Sequence, residues 1–170
     1  FCLKFNPCKK HASMVRTYPR YEPDQTIGLI SSPKCSIITS KDGKFLFTGA
    51  LEFVYKWSIR QDRLVAKFSD SPTAPAPNLP QAKAHEVTCI QLSPDEKQVA
   101  VGYSNGSIKI FCQETTELLV HLVGHDAAIT CLRFDPVSGI RLVSGSRDND
   151  LVVWDVSNES GECRLKGHTD

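Results

Sequence analysis

Three residues of one stretch, His125, Ser144 and Asp148, are the types that make a general base, a nucleophile and an orienting acid. In that combination the hydroxyl attacks an acyl carbon, the imidazole takes its proton and the carboxylate holds the imidazole tautomer. A second candidate is Gly102-Tyr103-Ser104-Asn105-Gly106, a literal G-x-S-x-G, which presents a nucleophile only on a turn between a strand and a helix. The next residues, Ser107-Ile108-Lys109-Ile110-Phe111, alternate as a strand does, and Asn105-Gly106 is a preferred two-residue hairpin turn. That match is therefore accidental. Metal chemistry has no better footing, because there is no Cys-x-x-Cys pair and Cys2, Cys8 and His11 lack the spacing of a zinc site. Lys9, Lys10, Arg16 and Arg20 could meet RNA phosphates, but they alternate with Pro, Tyr and acidic residues and read as a solvated tail. Asn105-Gly106-Ser107 and Asn158-Glu159-Ser160 spell glycosylation acceptors, which matter only in a secreted chain.

Bulk composition narrows the classes. The chain has 170 residues, with 20 Lys and Arg against 19 Asp and Glu, so no strong field draws it to nucleic acid or membrane. Its apolar runs are too short for a membrane span, and the N-terminus lacks the apolar core of a signal peptide. The sequence is read as soluble and intracellular. Seven cysteines, an odd number, agree with that: Cys89 and Cys131 stand in equivalent Thr-Cys-aliphatic positions, where a free thiol packs as a small apolar group. No cofactor, membrane or small-molecule substrate is expected.

The elements that must position His125, Ser144 and Asp148 are short strands. Between Gly124-His125 and Trp154-Asp155 lie Ile129 to Phe134, Arg141 to Ser144 and Leu151 to Trp154, each bounded by turn residues. Upstream the same meander recurs at 87–92, 98–102, 107–111 and 118–122, with Ser93-Pro94-Asp95 as a turn, and earlier at 36–39, 45–48, 53–57 and 64–68. Successive histidines His85, His125 and His168 are 40 and 43 residues apart. A Gly-His opening, a Trp-Asp close and this period resemble the blades of a WD40 β-propeller. The fold expected is all-β: a WD40 propeller fragment of about three four-stranded antiparallel blades, with the ring not closed. The blades are placed near 36–68, 85–122 and 125–165, with a further one starting at 167. Residues 1–25 are read as a mostly disordered tail and 26–170 as the partial propeller, Thr26 to Ile30 being a strand candidate. Ser69 to Ala84, with Pro72, Pro75, Pro77 and Pro80, reads as a mobile insertion.

The resemblance also reassigns the apparent triad. In such blades a His, a Ser or Thr, an Asp and a Trp form a buried hydrogen-bonded tetrad, here His125, Ser144, Asp148 and Trp154, with Ser146 as the alternative to Ser144. The role implied is structural, and no residue is assigned to catalysis, cofactor or metal. Val101, Asn105 and Phe111 stand at the corresponding places of the second repeat, so packing must hold that blade. In the first, Trp57 takes the signature Trp place but Ser58 comes after it.

Finer motifs narrow the resemblance. EVTCIQLSPD, AVGYSNGSIKIF, GHDAAIT, SGSRDNDLVVWDVSNESG and RLKGH make the stretch from Met14 to Asp170 similar to the N-terminal part of the WD-repeat protein 3 family. That resemblance implies a scaffold of the small-subunit processome in the nucleus and nucleolus. Its partners would be other processome proteins and, indirectly, the box C/D small nucleolar ribonucleoprotein and pre-ribosomal RNA. The alternatives are a WD40 adaptor of another complex, such as a ubiquitin-ligase substrate receptor or chromatin reader, and remotely a serine hydrolase. Met14 is expected to be the true start, and these residues alone are expected not to form a closed, independently stable ring.

Overall fold

The computed structural model describes residues 2–4, 22–25, 31–69 and 85–167. Two short strands, β1 (Cys2–Lys4) and β2 (Glu22–Gln25), pair antiparallel. They lie within the segment read as a mostly disordered tail, whose remaining residues fall outside the described ones. So do Thr26 to Ile30, residues 70–84 of the Pro-rich stretch, and His168. The rest forms three four-stranded antiparallel sheets joined in simple sequence order, with no helix and no closed sheet among the described residues. The first comprises β3 (Ile38–Thr39), β4 (Phe45–Ala50), β5 (Phe53–Ser58) and β6 (Arg63–Phe68). The second comprises β7 (Val87–Leu92), β8 (Gln98–Tyr103), β9 (Ile108–Cys112) and β10 (Leu118–Leu122). The third comprises β11 (Ile129–Phe134), β12 (Arg141–Ser146), β13 (Asp150–Asp155) and β14 (Ser160–Lys166).

Local chemistry explains where strands begin and end. In the second sheet the Ser93 hydroxyl donates to Asp95 Oδ1 (2.5 Å), which also accepts from the Lys97 amide (3.2 Å). Ser40 and Asp42 repeat this device in the first sheet (2.6 Å), with the Lys44 amide as donor (3.1 Å). β3 is shorter than the pattern suggests, because the residues before it make other bonds. The Ser32 amide donates to Gly49 O (2.8 Å), and Ser36 Oγ accepts from the Ile90 amide of the neighbouring sheet (3.0 Å).

Sheets pack face to face through two cores rather than around one. Between the first and second lie Phe47, Val54, Phe68, Val101 and Phe111, with Phe68 edge-on to Phe111 at 5.9 Å. Between the second and third lie Ile108, Ile110, Ile129, Leu142 and Trp154. The approach of the sheets depends on a missing side chain in the second strand of the first sheet and of the second. A Cβ on Gly49 would lie 2.7 Å from Val87 Cγ1, and one on Gly102 would lie 2.8 Å from Ile129 Cγ2. Only glycine lets the next sheet seat its branched residue there. Thr88 reinforces the second contact, its hydroxyl reaching Ile129 O (2.6 Å) as well as Gly102 O (3.1 Å).

Candidate functional site

The side chains of His125, Ser144, Asp148 and Trp154 come together inside the third sheet. Ser144 and Trp154 stand on adjacent strands β12 and β13, on the face that packs against the second sheet, while Asp148 occupies the turn between those strands. His125 enters from the turn before β11. Its Nδ1 lies 2.8 Å from Asp148 Oδ2 and its Nε2 lies 2.7 Å from Ser144 Oγ. Trp154 Nε1 donates to the same Ser144 Oγ at 2.8 Å. An ionised Asp148 accepts the hydrogen bond from Nδ1–H, which leaves Nε2 as acceptor for the Ser144 hydroxyl. Ser146 bonds neither His125 nor Trp154; its hydroxyl donates to Ala127 O (2.9 Å) and accepts from the Asp148 amide (3.3 Å).

This connectivity is that of a hydrolase triad, and the difference lies in access. Ser144 has no exposed surface, and one lone pair of its oxygen already receives the indole N–H. A nucleophile must reach a carbonyl carbon with its lone pair free and an oxyanion site beside it. What the arrangement does is join three pieces of chain, the turn before β11, the β12–β13 turn and the sheet face, through bonds shielded from water.

Asp148 is the anchor of the network. Burial alone would raise its carboxyl pKa, but the bonds from His125 and from the Asp126 and Asp150 amides outweigh that and hold it down at about 2. Both oxygens are used: Oδ2 accepts from the Asp126 amide (3.0 Å) as well as from His125, and Oδ1 from the Asp150 amide (3.0 Å). Arg164 on β14 extends the set, and sequence reasoning missed it. Its Nε donates to Asp150 Oδ2 (2.5 Å), its Nη1 to Gly124 O (3.0 Å), and its Nη2 lies 3.5 Å from Asp148 Oδ2. The available signal was period-two placement, since Arg164 pairs with Val152 and so shares its face.

The other sheets carry less of this. In the first, Trp57 Nε1 donates to Thr48 Oγ1 (3.1 Å), which preserves the indole-to-hydroxyl half. In the second, Val101 and Phe111 offer no polar atom and are fully buried, while Asn105 closes its own turn by accepting from the Ser107 amide (3.1 Å) and hydroxyl (2.7 Å). No buried side-chain polar atom among the described residues lacks a partner.

A family model described as the anaphase-promoting complex subunit 4 WD40 domain matches residues 57–137. The chain is 38% identical over 141 residues to U3 small nucleolar RNA-associated protein 12 of Saccharomyces cerevisiae, an alignment covering 78% of this chain and 15% of that protein. It is 40% identical over 75 residues to WD repeat and SOCS box-containing protein 1 of Homo sapiens, covering 44% of this chain and 18% of that one. Its fold superposes on the structure of U3-55K with a TM-score of 0.68 at 26% identity, over 81% of this chain and 40% of the other. The WD40 repeats of RRP9 give 0.66 at 27%, over 81% and 39%. This chain belongs to the WD40-repeat proteins. Its three sheets are propeller blades, and it spans 15% of the length of the yeast relative and 18% of the human one. A WD40 chain is a scaffold.

Proposed function

We propose that this chain is part of a non-catalytic assembly scaffold for early small-ribosomal-subunit production, acting in the nucleus and nucleolus. The observation that carries the reading is breadth of match. The likeness to the U3 small nucleolar RNA-associated protein runs through 78% of the chain, whereas the WD repeat and SOCS box-containing protein is matched over 44%. The structural neighbours U3-55K and RRP9 point the same way. In this reading residues 26–170 work as one portion of a propeller. Its partners are other processome proteins and, through them, the box C/D small nucleolar ribonucleoprotein and pre-ribosomal RNA. His125, Ser144, Asp148 and Trp154 act as a lock within the third blade rather than as a reaction centre, because the only hydroxyl in the set is sealed.

Depletion of the complete protein from growing cells tests the assignment. Unprocessed precursor RNA should accumulate and mature small-subunit RNA should fall, with the large-subunit RNA less affected. Normal precursor ratios after thorough depletion would reject it and favour an adaptor of another complex, the reading to which the anaphase-promoting-complex family model lends support.

A further inference from the structure

At the opposite end of the blades from the His125 network, the turns joining first and second strands gather into one surface. The third of these differs from the other two. Asp135 accepts from the Val137 amide (3.1 Å), the Ser138 amide (3.2 Å) and the Ser138 hydroxyl (2.5 Å), while the Gly139 amide returns to Asp135 O (3.0 Å). The turn so fixed presents Val137 at its tip, 91% exposed, with Ile140 half exposed behind it. A single exposed valine is ordinary. One held rigid beside an apolar depression is a pre-organised contact.

Two depressions flank the seam where Pro94 of the second blade meets Gly139 of the third, a contact so close that a Cβ on Gly139 would lie 3.2 Å from Pro94 Cδ. The smaller, of about 220 Å³, is mostly polar, with Val137, Ile140 and Val156 set among side chains that include Ser93, Asp95 and Gln98. The larger, of about 570 Å³, spans all three blades and is lined by Ile38, Leu92, Phe134 and Pro136, with Lys41, Arg133 and Glu96 among its polar residues. Those two cations are not equivalent. Lys41 is committed, its ammonium donating to Pro94 O and its amide to the Glu96 carboxylate. The exposed Arg133 donates only to the neutral Gln91 Oε1 (3.0 Å), and no carboxylate among the described residues pairs with it.

An apolar cleft with an unmatched positive charge at its edge is complementary to an apolar side chain followed by a carboxylate. We propose that this groove docks an extended segment of a partner protein in which an apolar residue is followed closely by Asp or Glu. The apolar side chain enters between Pro94 and Pro136, the carboxylate meets Arg133, and Val137 supports the chain as it leaves. This deepens the scaffold reading and rests on it, since it names the kind of partner segment that the scaffold holds.

The test is a titration of the complete protein into a fluorescein-labelled peptide, Ser-Gly-Leu-Ser-Glu-Gly-Ser, read by anisotropy, beside a matched peptide with Lys in place of Glu. Saturable binding of the acidic peptide alone is expected, weakened roughly tenfold by Arg133→Glu and severalfold by Val137→Ser. Arg147→Glu, an exposed change at the opposite end of the third blade, should leave it unaltered. Equal binding of both peptides, or no response to either groove variant, overturns the proposal. So does Arg133-dependent binding of a uridine oligonucleotide in place of peptide, which gives the groove to RNA. Self-association abolished by Val137→Asp, without peptide binding, overturns it in favour of a second copy of the chain. The depletion experiment separates the two levels. Peptide binding with normal RNA processing defeats the ribosomal reading alone, and defective processing without peptide binding defeats only the groove.

Discussion

Replacing Ser144 with Ala removes one oxygen and strands two partners. Trp154 Nε1, 2.8 Å away, loses its acceptor, and His125 Nε2, 2.7 Å away, loses its donor. Both groups are buried, with residue exposures of 5% each, so water cannot replace the hydroxyl without opening the blade. An orphaned buried polar group costs about 1 to 3 kcal/mol, so the pair should weaken the third blade by about 2 to 6 kcal/mol. The second blade shows why this is a cost of broken pairing rather than of lost polarity. Val101 and Phe111 fill the same two positions with no polar atom at all, and that blade packs with both side chains fully buried. Replacing both partners by apolar groups should therefore be cheaper than the single changes imply. A cycle of Ser144→Ala, Trp154→Phe and the double variant should show a coupling of about 1 to 2 kcal/mol. The appropriate assay is native-state hydrogen exchange of amides in β12 and β13 of the complete protein, because it reads the opening of one blade and not the melting of the whole. Additive single effects, or a Ser144→Ala change below about 0.5 kcal/mol, would refute the account, since surface substitutions already reach that size.

The same geometry gives two further outcomes. Asp148 is held at about 2, below its unfolded value, so its contribution is complete above about pH 4 and is lost as pH falls through the folded value. Exchange protection of the β12–β13 turn should decline between about pH 4 and 2, and Asp148→Asn should remove that decline; an unchanged acid profile in the variant would contradict the assignment. Gly102→Ala places a methyl group 2.6 Å from Cys89 Sγ and 2.8 Å from Ile129 Cγ2, so it should destabilise the seam between the second and third blades by about 1 to 3 kcal/mol. Gly167→Ala, with nothing within 4 Å, serves as the control, and equal melting of the two variants would show that the seam relaxes freely.

Much of the architecture could be read from the chain alone, for a physical reason. Strands that bury one face alternate with period two, and their ends are marked by residues that make turns by themselves, as Ser93-Asp95 and Asn105-Gly106 do through bonds to atoms two to five positions away. The repeat spacing then phases such segments into units, and Gly-His and Trp-Asp tag one unit clearly. The four types His125, Ser144, Asp148 and Trp154 were likewise legible, but the residues alone fit a hydrolase as well as a lock, because both need the same hydrogen-bond order. What bears on the choice is whether Ser144 Oγ can be reached, and Ser144 has no exposed surface. Burial of that kind sums contacts from distant segments, which no local pattern encodes. The same limit hid Arg164, whose partners Asp150, Asp148 and Gly124 O come from other segments of the chain, and it left Ser146 standing as the alternative to Ser144, two residues away on one strand. It also hid the groove at the opposite end, where Ile38, Pro94, Arg133 and Val137 are ordinary in their own turns and become one surface only when three blades stack.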